Sequence, residues 1–334
     1  MNNRIENLRG LACVLLVAYH VVGSDPARGL GVEAGPLRWL NDGLAYLRMP
    51  LFTFLSGLVY GLRPFAGNSR VFLGGKARRL LVPMLFVGTI FAIAQTLTPG
   101  THDVVGAWYT VHLLPVAHFW FVESLFWVFV VVWLLERGQW LSGLEGFSLT
   151  FLSSCVLYLS VRGWPWLGVE GAIYLLPYFL AGLAVSRFPQ SQAVTGAFGK
   201  ACLLAMAAAA ILAMGMPVPN PDRRTLAMLV AGLSLSLLCL GSGLSFSWLA
   251  RVGRFSYAIY IFHVFFTAFA RIAMDLLEVD NRPADLILGI GLGLAGPMVL
   301  GSLASRHRWP ALLLLGQSVP GRRWQGAAPP VLAA

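Results

Sequence analysis

About ten apolar stretches follow one another along this chain, most of them near the length that crosses a bilayer. They lie near residues 8–24, 44–62, 80–98, 118–135, 147–161, 170–186, 200–216, 225–244, 256–275 and 286–304. A spanning helix needs roughly 20 predominantly apolar residues, because 1.5 Å of rise per residue must cover a hydrocarbon core about 30 Å thick. In lipid every backbone N–H and C=O must be satisfied internally, which leaves helices or closed barrels as the spanning forms. The pattern predicts an all-α, polytopic transmembrane bundle.

Composition agrees with that solvent. The chain has 334 residues, 57% hydrophobic and 11% charged, against about 25% charged in an average soluble domain. No stretch reads as a separate soluble domain, so residues 1–305 are predicted to form one transmembrane domain and 306–334 a basic tail. The formal net charge of +10 would point a soluble protein toward nucleic acid. In a membrane chain the positive-inside bias accounts for it instead. The segment after the second stretch carries Arg63, Arg70, Lys76, Arg78 and Arg79, whereas the segment between the third and fourth has no Lys or Arg. Both termini are therefore expected in the cytoplasm, with Arg223 and Arg224 as a local exception. An uncleaved first span is preferred to a signal peptide, since Tyr19-His20 interrupts the apolar run and no clear cleavage site follows. Cys13, Cys155, Cys202 and Cys239 all fall in apolar stretches at no metal-ligand spacing, and read as small buried hydrophobes.

Ionisable residues inside the apolar stretches carry the functional argument, because burying them in a span is expensive. Arg9 and His20 are eleven residues apart, so they share a helix face and lie about 16 Å apart along its axis. A cation near one end and an imidazole near the other suit a long cofactor with an anionic head. Taken alone, an arginine such as Arg9 is more often a positive-inside anchor at the helix end. His20 is either a hydrogen-bonded structural histidine or a general base, since only histidine titrates near neutrality unperturbed. Ser24 or Asp25 could orient it.

The second stretch begins Arg48-Met-Pro-Leu-Phe-Thr-Phe-Leu-Ser56-Gly57. Pro50 suits a helix start, Ser56-Gly57 suits close helix contact, and Arg48 is accounted for by snorkelling to the interface. The basic run through Lys76, Arg78 and Arg79 serves topology and anionic lipid, or docks phosphates. His102, His112 and His118 precede Glu123, but their spacing fits no standard metal site, and no metal is predicted. Glu123 has Trp120 three residues before it and Trp127 four after. It either pairs with a buried cation or binds a polar substrate against aromatic rings. Ser256, Tyr260 and His263 fall at i, i+4 and i+7 on one stripe, which predicts a polar-lined cavity.

Together these segments resemble the acyltransferase-3 family of integral-membrane acyltransferases, which includes O-acetylases of bacterial surface polysaccharides. The resemblance rests on Arg9 with His20, Met49–Gly57, the basic run before Pro83, Phe119-Trp-Phe121, and Gly253-Arg-Phe-Ser-Tyr-Ala-Ile-Tyr-Ile-Phe-His263. These occur in the family's order. The resemblance implies an acyl-CoA co-substrate, acetyl-CoA foremost, with Arg9, Lys76, Arg78 and Arg79 at its head and His20 as base or acyl carrier. It implies Glu123 as a second catalytic group, and Ser56, Trp120, Tyr260 and His263 on the acceptor side. The acceptor would be a carbohydrate or glycolipid, and the location a bacterial inner membrane among lipids, with no nucleic-acid partner. Where many relatives show Arg-x-x-Arg, this chain has Lys76-x-x-Arg79. The competing class is a transporter or flippase of a lipid-linked or sugar substrate, although neither inverted repeats nor paired broken helices are evident.

Overall fold

The computed structural model describes residues 2–25, 28–98, 108–188, 196–213, 224–278 and 281–318. Among them the secondary structure is helical, apart from an isolated bridge pairing Val111 with Leu114. The α-helices are α1 (Asn2–Val22), α2 (Pro36–Gly43), α3 (Ala45–Leu62), α4 (Ser69–Leu97), α5 (Trp120–Arg137), α6 (Leu144–Ser160), α7 (Val169–Arg187), α8 (Ala197–Ala213), α9 (Leu226–Gly241), α10 (Ser247–Arg254), α11 (Ser256–Leu276), α12 (Arg282–Ala304) and α13 (Arg308–Leu315).

Each of the ten apolar stretches coincides with one of these helices. Six segments are long and apolar enough to cross a membrane: Asn3–Val22, Ser69–Leu97, Ala117–Arg137, Trp166–Arg187, Ser256–Leu276 and Arg282–Ala304. Leu144–Ser160, Gly199–Leu212 and Leu226–Gly241 are apolar but shorter. The expected count of about ten spans therefore goes beyond what helix length and composition support.

The described chain gathers into two compact units, one from residues 2–61 and 181–300, the other from 62–180 and 301–318. In the first unit α1 is the centre, packing along α10 and α11. Gly10 and Gly253 permit the close crossing: a Cβ at Gly10 would overlap the Leu249 carbonyl oxygen, and one at Gly253 that of Glu6. Asn7 Oδ1 accepts a hydrogen bond from the Phe246 N–H at 2.8 Å, satisfying a donor at the start of α10.

Two boundaries differ from expectation. Gly253-Arg254 close the separate helix α10, and Phe255 (φ −98°, ψ 10°) breaks the chain before α11. The helix α3 starts five residues before Pro50, so the proline lies inside it rather than at its start. Without an N–H at Pro50, the Tyr46 carbonyl lacks its usual i+4 donor.

In the second unit α4 packs against α5 and α13. Asn68 caps α4, its side chain accepting from the Val71 N–H at 3.1 Å. Residues 308–315, read from sequence as part of a tail, form a helix that ends on Gly316 in the left-handed conformation. Its last turn meets the α4 backbone at Arg78, whose Nε lies 3.4 Å from the Gly316 carbonyl oxygen.

Candidate functional site

The first unit joins two distant members of the sequence pattern. His20 stands in the last turn of α1 and His263 midway along α11. Their rings meet edge to face with centroids 4.8 Å apart. His263 is fully buried, and its Nδ1 lies 2.9 Å from the carbonyl oxygens of both Ile259 and Tyr260. Two acceptors require the proton on Nδ1, so Nε2 of the neutral ring is an acceptor. His20 is half-buried. Tyr260, one turn before His263, is buried with its ring 6.4 Å from that imidazole. Ser24 donates to Asp25 at 3.0 Å, and Asp25 pairs with Arg28 at 3.2 Å. A histidine from across the unit is thus among the groups brought against His20.

At the other end of α1, Arg9 Nη1 lies 3.3 Å from Glu6 Oε1, one turn earlier. Both side chains are largely covered. Glu6 went unremarked in the sequence, although i, i+3 acid–base spacing is a direct signal for such a pair. Ser56 is half-buried and donates to its own helix, at the Phe52 carbonyl, at 2.9 Å.

Arg48 overturns the snorkelling expectation. It is buried, its Nη2 donating to the Asn41 carbonyl and, at 2.9 Å, to Asn41 Oδ1. Its guanidinium carbon lies 4.4 Å from the centroid of the Tyr19 ring. The cause is α2, which covers this end of α3 and supplies the acceptors; depth along a span does not reveal such a cover.

The second unit holds the remaining candidates. Glu123 lies in the first turn of α5 and is only 4% exposed. Among the described residues its carboxyl group has no hydrogen-bond or ion-pair partner. Beside it Ser124 Oγ donates to the Gly168 carbonyl at 2.7 Å. Trp120 stands 6.2 Å from the ring of Tyr174, which itself stacks on Tyr158 at 5.7 Å. Lys76 turns inward, its ammonium 3.7 Å from the Phe129 ring centroid, whereas Arg78 and Arg79 are exposed.

Of the three histidines before Glu123, His102 lies outside the described residues. His112 Nε2 is 2.9 Å from Thr89 Oγ1. Burial holds its imidazole below the usual pKa, partly offset by the Leu85 carbonyl. His118 is buried edge-on against Phe91. Among the described residues no three His, Cys, Asp or Glu side chains gather as metal ligands.

A family model described as an acyltransferase domain, that of acyltransferase-3, matches residues 2–302. The chain belongs to that family. The match takes in every candidate side chain from Arg9 to His263. No curated protein and no solved structure matches the chain. Family membership and the apolar helices together make this an integral-membrane acyltransferase. For acyl transfer the chemical requirements are a base for the attacking group and polar groups for the charges that develop. In the acyltransferase-3 chain the imidazole pair of the first unit is of the chemical type that can serve as such a base.

Proposed function

We propose that the protein moves an acyl group, acetyl foremost, from cytoplasmic acyl-CoA to a hydroxyl of a sugar-containing acceptor. In this reading it is an integral protein of a bacterial inner membrane, with about ten spans and both termini cytoplasmic. The observation that carries the reading is the contact of His20 with His263, 4.8 Å between ring centroids, on the same helix that bears Arg9.

His20 takes the proton of the acceptor hydroxyl as its oxygen attacks the thioester carbonyl. A C–O bond forms, the C–S bond breaks, and the proton passes from His20 to the departing thiolate. His263, its Nδ1 proton held by two carbonyls, keeps the His20 ring in place. It is a positioning residue. Arg9 attracts the phosphates of the donor, with Glu6 keeping the guanidinium directed. In the second unit Lys76, Arg78 and Arg79 are cations of the kind that bind donor phosphates. In the same unit Glu123 and Trp120 are suited to a sugar, the carboxyl to bond a hydroxyl and the indole to lie against a ring; in the first unit Ser56 and Tyr260 offer hydroxyls to the acceptor.

The test uses purified full-length protein in nanodiscs with radiolabelled acetyl-CoA and a crude envelope-glycan acceptor. The expected result is donor binding by wild type and by His20→Ala, with transfer reduced ~100- to 10,000-fold in the variant. Folded wild type that binds no acetyl-CoA or longer acyl-CoA would instead favour a transporter or flippase.

A further inference from the structure

In the second unit, the first turn of α5 carries an acidic side chain that no other described residue answers. Glu123 is 4% exposed, and among the described residues its carboxyl group has no hydrogen-bond, ion-pair or electrostatic partner. Neither oxygen is sealed in, since each keeps some surface open to the outside. The stem below them is fixed. A Cβ at Gly168, just ahead of α7, would come 3.2 Å from Glu123 Cγ, and one at Gly171 would come 2.9 Å from Trp120 Cε3. These two glycines let α7 lie close against the Trp120 and Glu123 face of α5. Trp120, one turn before Glu123, is half-buried. Its ring lies 6.2 Å from that of Tyr174 on α7, which in turn stacks on Tyr158 at 5.7 Å. An open carboxyl thus stands beside a wall of aromatic rings.

Either form of this carboxyl is incomplete. A neutral one has an O–H without an acceptor, and an ionised one has a charge without a counter-ion; both are costly away from water. The starts of α5 and α7 meet at Glu123, and the positive end of each helix favours the ionised form. Those ends carry partial charge only, and among the described residues no N–H of theirs bonds the carboxylate. The inward-turned cation of this unit, Lys76, is held on the rings of Phe72 and Phe129 instead. A ligand hydroxyl would supply a donor to the carboxylate. An ammonium supplies donors and a full counter-charge together. Indole and phenol rings add to the preference, because their faces attract a cation.

We propose that Glu123 and Trp120 bind the ammonium group of an amino-sugar acceptor, the carboxylate as its counter-ion and the indole face against the cation. The inference rests on the acyl-transfer reading for the ligand's role as acceptor, and narrows that acceptor from any sugar to one with a free amine. It also fixes which atom is acylated. An amine kept protonated on a carboxylate has no lone pair to attack a thioester. The acyl group therefore passes to a hydroxyl oxygen of the sugar, and the product is an ester rather than an amide.

The test uses full-length protein in nanodiscs of zwitterionic lipid, at about pH 6 so that amines are protonated. Thermal unfolding is the readout, with glucosamine, N-acetylglucosamine and glucose as probes. Glucosamine should raise Tm in a saturable way; glucose and N-acetylglucosamine, which lack the cation, should not. Glu123→Gln keeps the size and removes the charge, and should weaken the apparent Kd for glucosamine about tenfold or more. Trp120→Leu removes the ring face and serves as the second variant should the first fail to fold. Equal shifts with all three sugars, no shift with any, or unaltered glucosamine affinity in both variants would overturn the proposal. Radiolabelled acetyl-CoA separates it from the reading beneath. Wild type that binds glucosamine yet transfers no label to it or to envelope glycan would remove the acyl-transfer reading while the cation site stands. Equal transfer to glucosamine and glucose, undiminished in Glu123→Gln, would do the reverse, as would label on glucosamine in an amide that resists mild alkali.

Discussion

The Nδ1 proton of His263, held between two carbonyl oxygens, decides what this residue can do for His20. With that proton fixed, Nε2 of the neutral ring can only accept, so it favours one orientation of a neighbouring donor. His263→Gln keeps a polar side chain of similar reach but changes that preference. We expect kcat for acetyl transfer to fall about a hundredfold, the scale of misplacing a catalytic group, with KM for acetyl-CoA little changed. Stopped-assay kinetics on His20 and His263 variants would check this, and a raised KM with unchanged kcat would place His263 in binding instead. The Arg9–His20 spacing and the Ser256, Tyr260, His263 stripe were legible in the sequence because both follow from the period of a single helix. Their meeting was not, since nothing in a single sequence pairs residue 20 with residue 263. Arg48 was misread for a similar reason: its neighbours Asn41 and Tyr19 belong to other helices.

At the scale of elements, the crossing of α1 and α10 sets where Arg9 stands. Every apolar stretch was visible as a helix, but α10 was hidden inside the approach to the next span. Its buried face is only Leu249, Ala250, Val252 and Gly253, too short to register as a stretch of its own. The same holds for α13, eight residues long. The crossing can be tested at Gly253, where an added Cβ would overlap the Glu6 carbonyl oxygen. A backbone atom cannot turn aside as a side chain can, so Gly253→Ala must separate the helices, at a cost of about 1–3 kcal/mol. A fall in Tm of the purified protein is expected, together with weaker acetyl-CoA binding, since Glu6 both borders Gly253 and pairs with Arg9. The control is Gly291→Ala, mid-helix with open space around its Cβ position, where helix propensity alone should stabilise by about 0.5–1 kcal/mol. Equal Tm changes in the two variants would dismiss the close crossing as a determinant of stability.

For the whole molecule, the distribution of charge makes the remaining claim, that both termini lie in the cytoplasm. The strongest single element is the segment around Arg63 and Arg70 leading to Lys76, Arg78 and Arg79, set against a segment from 98 to 117 without Lys or Arg. Segments rich in Lys and Arg stay on the cytoplasmic side during insertion. Of the exception in the sequence, Arg223 lies outside the described residues, while Arg224 is buried and is not an exposed loop charge. Single cysteines placed in a cysteine-free variant convert the orientation into an accessibility measurement. Ala66→Cys lies beside the basic segment, and Tyr109→Cys replaces a side chain that is 82% exposed. An impermeant maleimide added to intact cells with opened outer membranes should label position 109 and spare position 66, with the order reversed in inverted vesicles. Orientation matters for the chemistry because α4 and the N-terminal end of α1 carry the cations proposed for the donor. Were position 66 to label from outside, those cations would face away from the cytoplasmic pool of acyl-CoA. The donor would then have to be an acyl group already exported, and Arg9 would lose its proposed partner while the His20–His263 pair kept its chemistry.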